Sequence, residues 1–377
     1  MKILIAPNSF KESLNSIEVT KHISKGLRKA SKKYIVIGVP LADGGVGTMK
    51  IITDLFNGEY IRCKVGGPFG EPIHAEYGII PRQRVGVLEL AQVAGLHLVP
   101  KKSRNPLIST TSGVGQLLLD ALEHGYRKFI LGIGDSATID CGVGALNELG
   151  IRFLDKKGGR IELNCRGLLQ LNTIDMSELD PRAAIMKITI ASDVKNILTG
   201  RNGAIVYAKQ KGAREKDRPV IRRSLKQFKK IIYQQFDRDI DKITGSGAAG
   251  GIGGAFVTLL SSQIVSGSGL IQEMVRLEEE IATSDLVITG EGRVDEQSFY
   301  GKTLKRVIDI AYIHKKPVIL IAGSIAQGTK LKKEYGIMAH YSLSRISGSR
   351  KQAFEKAGEL LEKIAYRIGQ EIRQRMK

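Results

Sequence analysis

The chain has 377 residues, of which 42% are hydrophobic and 25% charged, and it carries a formal net charge of +20. That length exceeds what one hydrophobic core comfortably fills and predicts two domains of ordinary size. The composition excludes a disordered, collagen-like or disulfide-stapled chain, and no run approaches the roughly 18 apolar residues of a membrane span.

The first apolar run, residues 2–6, is cut off by Pro7, Asn8 and Ser9. It is too short for a signal peptide. Three cysteines (Cys63, Cys141, Cys165) and six scattered histidines offer no metal-ligand spacing. An odd thiol count suits a reducing compartment, so a cytoplasmic protein is expected.

Further short, β-branched apolar runs follow over residues 34–39, 85–90, 128–133, 187–191, 285–289 and 317–322. Each is bounded by turn residues and reads as a buried strand. Helical stripes lie between them: Val19, Ile23, Leu27 and Ala30 form one, and Leu117, Leu118, Ala121 and Leu122 another before Gly125. Strands alternating with helices predict an α/β fold with mostly parallel sheets, whose ligands gather beyond the carboxyl ends of the strands.

Much of the basic excess falls in residues 209–230 and 351–377. In the second stretch Phe354, Ala357, Leu361, Ile364, Ile368 and Ile372 recur at helical spacing, so its charges read as a solvated face. A basic nucleic-acid-binding protein without catalysis is one alternative. The absence of Trp and of an RNA-recognition aromatic motif weighs against it, and no specific nucleic acid or membrane partner is expected.

The loops after the strands are unusual. They include Asp43-Gly44-Gly45-Val46-Gly47-Thr48, Gly134-Asp135-Ser136-Ala137-Thr138-Ile139-Asp140, Ser192-Asp193-Val194 and Gly290-Glu291-Gly292-Arg293-Val294-Asp295. A further string, residues 245–254, is rich in glycine. Glycines let backbone N–H groups face an oxyanion, carboxylates hold Mg²⁺ or accept a proton, and cations neutralise a transferred group. This inventory suits phosphoryl transfer.

Two motif matches compete with that reading. Gly301-Lys302-Thr303 resembles the end of a P-loop, but position 296 is Glu296 where the loop needs glycine. Gly132-Ile133-Gly134-Asp135-Ser136-Ala137 matches a dinucleotide fingerprint and supports a nucleotide-dependent oxidoreductase as the second alternative. Simpler roles also stand: Asp43 as a turn residue, Asp140 or Asp193 as helix caps, Lys11 as a surface lysine, and Glu291 or Asp295 as partners of Arg293.

Taken in order, the loops resemble the glycerate kinase family over nearly the whole chain. The strings that carry this are Ala6-Pro7-Asn8-Ser9-Phe10-Lys11, Ala42-Asp43-Gly44-Gly45-Val46-Gly47-Thr48 and Thr110-Thr111-Ser112-Gly113-Val114-Gly115. Ala191-Ser192-Asp193-Val194-Lys195-Asn196, Gln210-Lys211-Gly212-Ala213, Gly247-Ala248-Ala249-Gly250-Gly251 and Thr289-Gly290-Glu291-Gly292-Arg293-Val294-Asp295 complete the set. The resemblance implies ATP and Mg²⁺, D-glycerate as acceptor and a 2- or 3-phosphoglycerate product. It also implies a flavodoxin-like α/β domain built from both chain ends, residues 1–60 and 285–377, with a second α/β domain, 61–284, inserted. An oligomer is compatible with it. The family usually carries glycine where this chain has Asp135 and Cys141, and aspartate where it has Asn8.

Candidate roles follow. Asp193, Asp43, Lys11 and Arg293 are the expected catalytic residues. Gly44, Gly45, Gly47, Thr48, Gly134, Ser136, Thr138, Gly250, Gly251, Glu291 and Lys302 are the expected nucleotide contacts. Asp43, Asp140 and Asp295 are the expected Mg²⁺ carboxylates.

Overall fold

The computed structural model describes residues 1–10, 13–299, 303–329, 331 and 336–375. The chain divides into two compact units, Met1–Ala42 with Ser268–Lys377, and Asp43–Gly267.

The first unit opens with β1 (Lys2–Pro7), α1 (Ser16–Ala30) and β2 (Ile35–Gly38). The second follows with α2 (Thr48–Leu55), β3 (Glu59–Gly66), β4 (Pro72–Ile80), β5 (Val85–Glu89), α3 (Ala91–Ala94), α4 (Ser112–Glu123) and β6 (Lys128–Gly132). It continues through α5 (Val143–Glu148), β7 (Arg152–Leu154), β8 (Thr173–Asp175), α6 (Pro181–Ala184), β9 (Lys187–Ala191), α7 (Arg218–Phe236), α8 (Ile252–Leu260) and β10 (Gln263–Val265). From α9 (Gly267–Met274) the chain re-enters the first unit as α10 (Leu277–Ala282), β11 (Leu286–Val294), α11 (Thr303–Ile313) and β12 (Val318–Ile325). It ends with β13 (Ile337–Ser342), α12 (Leu343–Ile346), α13 (Arg350–Glu355) and α14 (Ala357–Arg375).

These boundaries differ from the expected ones at both joins. Residues 43–60 fall in the second unit because α2 packs on β3, β4 and β5. Residues 268–284 fall in the first, where α10 buries Leu277 and Ile281 and packs beside α11.

The first unit's sheet runs β13-β12-β11-β1-β2, all parallel. Numbered within the unit this is 2-1-3-4-5, the flavodoxin-like order, whose direction reverses between β1 and β11. β1, β11 and β12 are buried on both faces, which is why they read as unbroken apolar runs. Asn15 starts α1 through a capping box: its Oδ1 accepts from the Glu18 N–H at 2.9 Å while Glu18 Oε2 accepts from the Asn15 N–H. The stripe Val19, Ile23 and Leu27 then packs with Leu361, Ile364 and Ile368 of α14. Gly26 permits that approach, since a Cβ there would lie 2.3 Å from Glu362 O.

The second unit's sheet runs β10-β9-β6-β5-β4-β3. β5, β6, β9 and β10 are parallel, while β3 and β4 form an antiparallel pair at one edge. β7 and β8 make a separate two-stranded sheet. Glu89, Gly132 and Ala191 stand in register at the carboxyl ends of β5, β6 and β9. Glu89 and the loops leaving Gly132 and Ala191 belong to the site described below.

Apart from the buried Lys211, both basic stretches present solvated faces. α7 buries Ile221, Leu225, Phe228 and Ile232 and exposes Arg222, Arg223, Lys226 and Lys230. α14 buries Leu361, Ile364 and Ile368 and exposes Lys363 and Arg367.

Candidate active site

In the second unit the Asp43 loop lies across the carboxyl end of β9. A Cβ on Gly44 would meet Ala191 O at 2.2 Å and Ser192 N at 3.2 Å, so only glycine allows the crossing. Gly44 also accepts a hydrogen bond from the Gly134 N–H at 2.9 Å, and Gly134 faces Gly45 so closely that a Cβ would be 2.5 Å from its Cα. Three strand-end loops are thereby clamped together by glycines.

The amides of this turn are engaged by the protein's own oxygens. Asp43 Oδ1 accepts from the Gly45 N–H at 3.3 Å, and Asp135 Oδ2 accepts from the Val46 N–H at 3.3 Å. Glu89 accepts from the Met49 N–H at 2.6 Å and also from the Gly47 N–H. The Thr48 N–H donates to Gly45 O, and the Thr48 side chain is fully buried. The amides of Gly45, Gly47 and Thr48 are therefore not the open phosphate cradle expected of them, and Gly44 serves the crossing over Ala191. The first amides of α2 are already answered by Glu89, a buried acceptor that the sequence reading passed over.

Burial pushes the Glu89 pKa up from 4.5 to about 7, against the lowering effect of its amide donors. The folded state thus keeps a proton that the unfolded chain loses above pH 4.5. Glu89's contribution to stability is complete below that value and is lost as pH rises through about 7. Glu89→Gln keeps an acceptor and removes the proton. It should flatten the wild-type fall in urea midpoint between pH 4.5 and about 7; an unchanged slope would assign that fall to other groups.

The 134–141 loop is equally closed. Lys211 is 2% exposed and donates from Nζ to Ser136 Oγ at 2.8 Å and to Thr138 O at 2.7 Å. Burial brings its pKa down from 10.5 to about 7. Thr138 is wholly buried. Asp140 is also wholly buried and accepts from Thr111 N (2.8 Å), Thr111 Oγ1 (2.7 Å), Gly142 N (3.1 Å) and the Gly144 N–H. Its burial raises its pKa, an effect the four donors oppose.

Asp140 thus has its oxygens engaged by the framework, and Ser136 and Thr138 are buried, with Lys211 hydrogen-bonded to Ser136 Oγ and Thr138 O. Gly250 and Gly251 are positions where close packing requires glycine. Each has positive φ, and a Cβ on Gly250 would lie 2.2 Å from Thr138 O. Asp135 and Cys141 adopt φ of +56° and +52°, a left-handed conformation that costs a non-glycine residue roughly 1–2 kcal/mol.

The dinucleotide reading of residues 132–137 fails on the same geometry. The Gly134 amide is taken by Gly44, and the next helix, α5, begins only at Val143 behind the left-handed Gly142. No helix N-terminus follows those glycines to receive a pyrophosphate.

Asp193 and Asp43 remain accessible at this edge. Asp193 is exposed just beyond β9, with Oδ1 accepting from Ser266 Oγ at 2.7 Å. Asp43 is half-buried beside the Gly44–Ala191 crossing. The two carboxylates therefore belong to segments in direct contact.

In the first unit a crevice of about 400 Å³ opens at the carboxyl ends of β1, β11 and β12. Asn8, Glu291, Arg293 and Asp295 are among its lining residues, and Arg293 Nε lies 3.7 Å from Asp295 Oδ2. Asn8 N–H donates to Gly290 O and Gly292 N–H to Ser9 O, tying the two loops together. Lys11 and Lys302 lie outside the described residues. Among the described residues no three His, Cys, Asp or Glu side chains gather as a metal site, so Asp295 and Asp43 stand in no preformed carboxylate cage.

Two residues that matter here, Glu89 and Lys211, were not singled out from the sequence. A glutamate closing the apolar run 85–90 was a readable sign of a buried acceptor. Nothing in the Gln210-Lys211-Gly212 string marks its lysine as buried.

Comparison with known proteins gives the same direction over the full length. The family model described as "Glycerate kinase family" matches residues 3–373. A glycerate kinase from Halalkalibacterium halodurans is 41% identical over 367 residues, covering 97% of each chain. A glycerate 2-kinase from Escherichia coli K12 is 40% identical over 358 residues, covering 95% of this chain and 94% of the other. A crystal structure from Salmonella typhimurium LT2, described as glycerate kinase 2, superposes with a TM-score of 0.79 at 36% identity, over 100% of this chain and 99% of that one. With its flavodoxin-like first sheet and full-length match, the chain belongs to the glycerate kinase family.

Proposed function

We propose that this protein is a cytoplasmic, ATP-dependent kinase that phosphorylates D-glycerate on its 2-hydroxyl. The observation that carries the reading is the family match over residues 3–373. The name of the Escherichia coli relative, glycerate 2-kinase, favours the secondary hydroxyl. Among the described residues no helix is long and apolar enough to cross a membrane. The solvated basic faces of α7 and α14 call for no nucleic-acid partner.

In-line transfer needs the acceptor oxygen oriented, its proton received and the charge on the transferred group balanced. Asp193 is the residue for the first two tasks: it is exposed at a strand end and fixed by Ser266. Arg293, two-thirds exposed in the crevice of the first unit, offers a cation to an anionic ligand there. Mg²⁺ binds nucleotides through phosphate oxygens and only one or two carboxylates. An accessible Asp43 fits that sparse donor set, and the ion would neutralise phosphate charge.

The test is ADP release with a panel of small hydroxy acids, with and without Mg²⁺. Glycerate-dependent release that requires Mg²⁺ is expected. Hydride transfer with NAD(H), and no ADP release with any acid, would replace the kinase by an oxidoreductase.

A further inference from the structure

We propose that the crevice of the first unit holds the nucleoside of the phosphate donor, with Phe354 as the stacking surface for its base and Arg350 as a phosphate-side cation. The proposal rests on the kinase reading above and adds where one of its two substrates binds.

Position is the first argument. The crevice lies where the strand order reverses between β1 and β11, the place at which open α/β sheets bind their ligands. Its floor is built from the loop after β1 (Asn8, Ser9, Phe10) and the end of β11 (Gly292, Arg293).

Size separates the two substrates of a glycerate kinase. At about 30 Å³ per water, a 400 Å³ cavity has room for on the order of a dozen waters. Glycerate, with three carbons and four oxygens, would leave most of that space unfilled. Nucleotide- and drug-sized ligands occupy cavities of roughly 300–1,000 Å³.

The lining chemistry agrees with a nucleoside. Phe354 on α13 keeps 48% of its surface exposed, while Ala353 and Ala357 beside it are buried. A half-exposed aromatic ring in a crevice wall offers a π-face to a planar base, and such stacking tolerates any base. α13 is held in place by Ser13 Oγ, which donates to Phe354 O at 2.9 Å. Ser9 and Ser324 contribute hydroxyls, and Glu291 a carboxylate able to accept from sugar hydroxyls. Arg350, exposed at the start of α13, adds a guanidinium matched to phosphate oxygens.

The experiment measures ADP and adenosine binding to the full chain by calorimetry, together with steady-state KM values for ATP and glycerate. The proteins are wild type, Phe354→Ala, Phe354→Tyr and Arg350→Ala, each checked for folding by thermal melting. Phe354→Ala should weaken both ADP and adenosine about tenfold, and Phe354→Tyr should restore both. Arg350→Ala should weaken ADP but not adenosine. The glycerate KM should stay within about twofold of wild type in all three. Unchanged nucleotide affinity, whether or not the glycerate KM rises, would overturn the assignment and leave the kinase reading intact. A wild type that makes no ADP with any acid, yet binds ADP with the same dependence on Phe354, would keep the assignment and remove the reaction.

Discussion

Asp193→Ala is expected to lower kcat about 10²–10³-fold with little change in the glycerate KM, because a group that orients the acceptor acts mainly in the transition state. Asp43→Ala should also lose mostly kcat, and its residual activity should need more Mg²⁺, as befits a metal-side carboxylate. The two residues come from segments that touch at Gly44 and Ala191, so their effects should be less than additive. Steady-state kinetics of both single variants and the double variant, with melting curves, decide the matter. Two folded variants with near-normal kcat would make these carboxylates a turn residue and a strand-end cap.

Asp140→Ala should instead cost stability, on the order of 3–5 kcal/mol. Asp140 is fully buried and answers three backbone N–H groups and a hydroxyl, and unanswered buried donors cost about 1–3 kcal/mol each. Asp140→Asn retains a carbonyl oxygen and should lose less. Urea unfolding measures both. An unchanged midpoint, with ADP release that needs more Mg²⁺ than wild type, would return Asp140 to the metal site.

The seven apolar runs read from the sequence are β1, β2, β5, β6, β9, β11 and β12. All are parallel strands, and most are buried on both faces, which makes continuous apolar runs. β3 and β4 escaped because they obey a different rule. Ile61, Cys63 and Val65 alternate with Arg62 and Lys64, and pair with Tyr77, Ala75 and Ile73 across an antiparallel ladder. The period of two was present, but it marks a strand with one face in solvent.

Which strand-end loops come together was more legible than what their side chains do. The Asp43 and Asp193 segments singled out in the sequence meet at Gly44 and Ala191. Glycine misled the reading because its two uses look alike in sequence. A missing Cβ admits a phosphate, or it admits another stretch of backbone. At Gly44, Gly134 and Gly250 it is backbone that approaches, from Ala191, Gly45 and Thr138. Buried carboxylates misled in the same way: Asp140 carries the residue type of a metal ligand, but its lone pairs are occupied by Thr111, Gly142 and Gly144.

Phosphorus NMR of a reaction containing ATP, Mg²⁺ and D-glycerate tests the central claim most directly. The account predicts one new phosphomonoester, coupled to the C2 proton of glycerate and growing in step with ADP. Inorganic phosphate growing in step with ADP, with no phosphoglycerate signal, would contradict it.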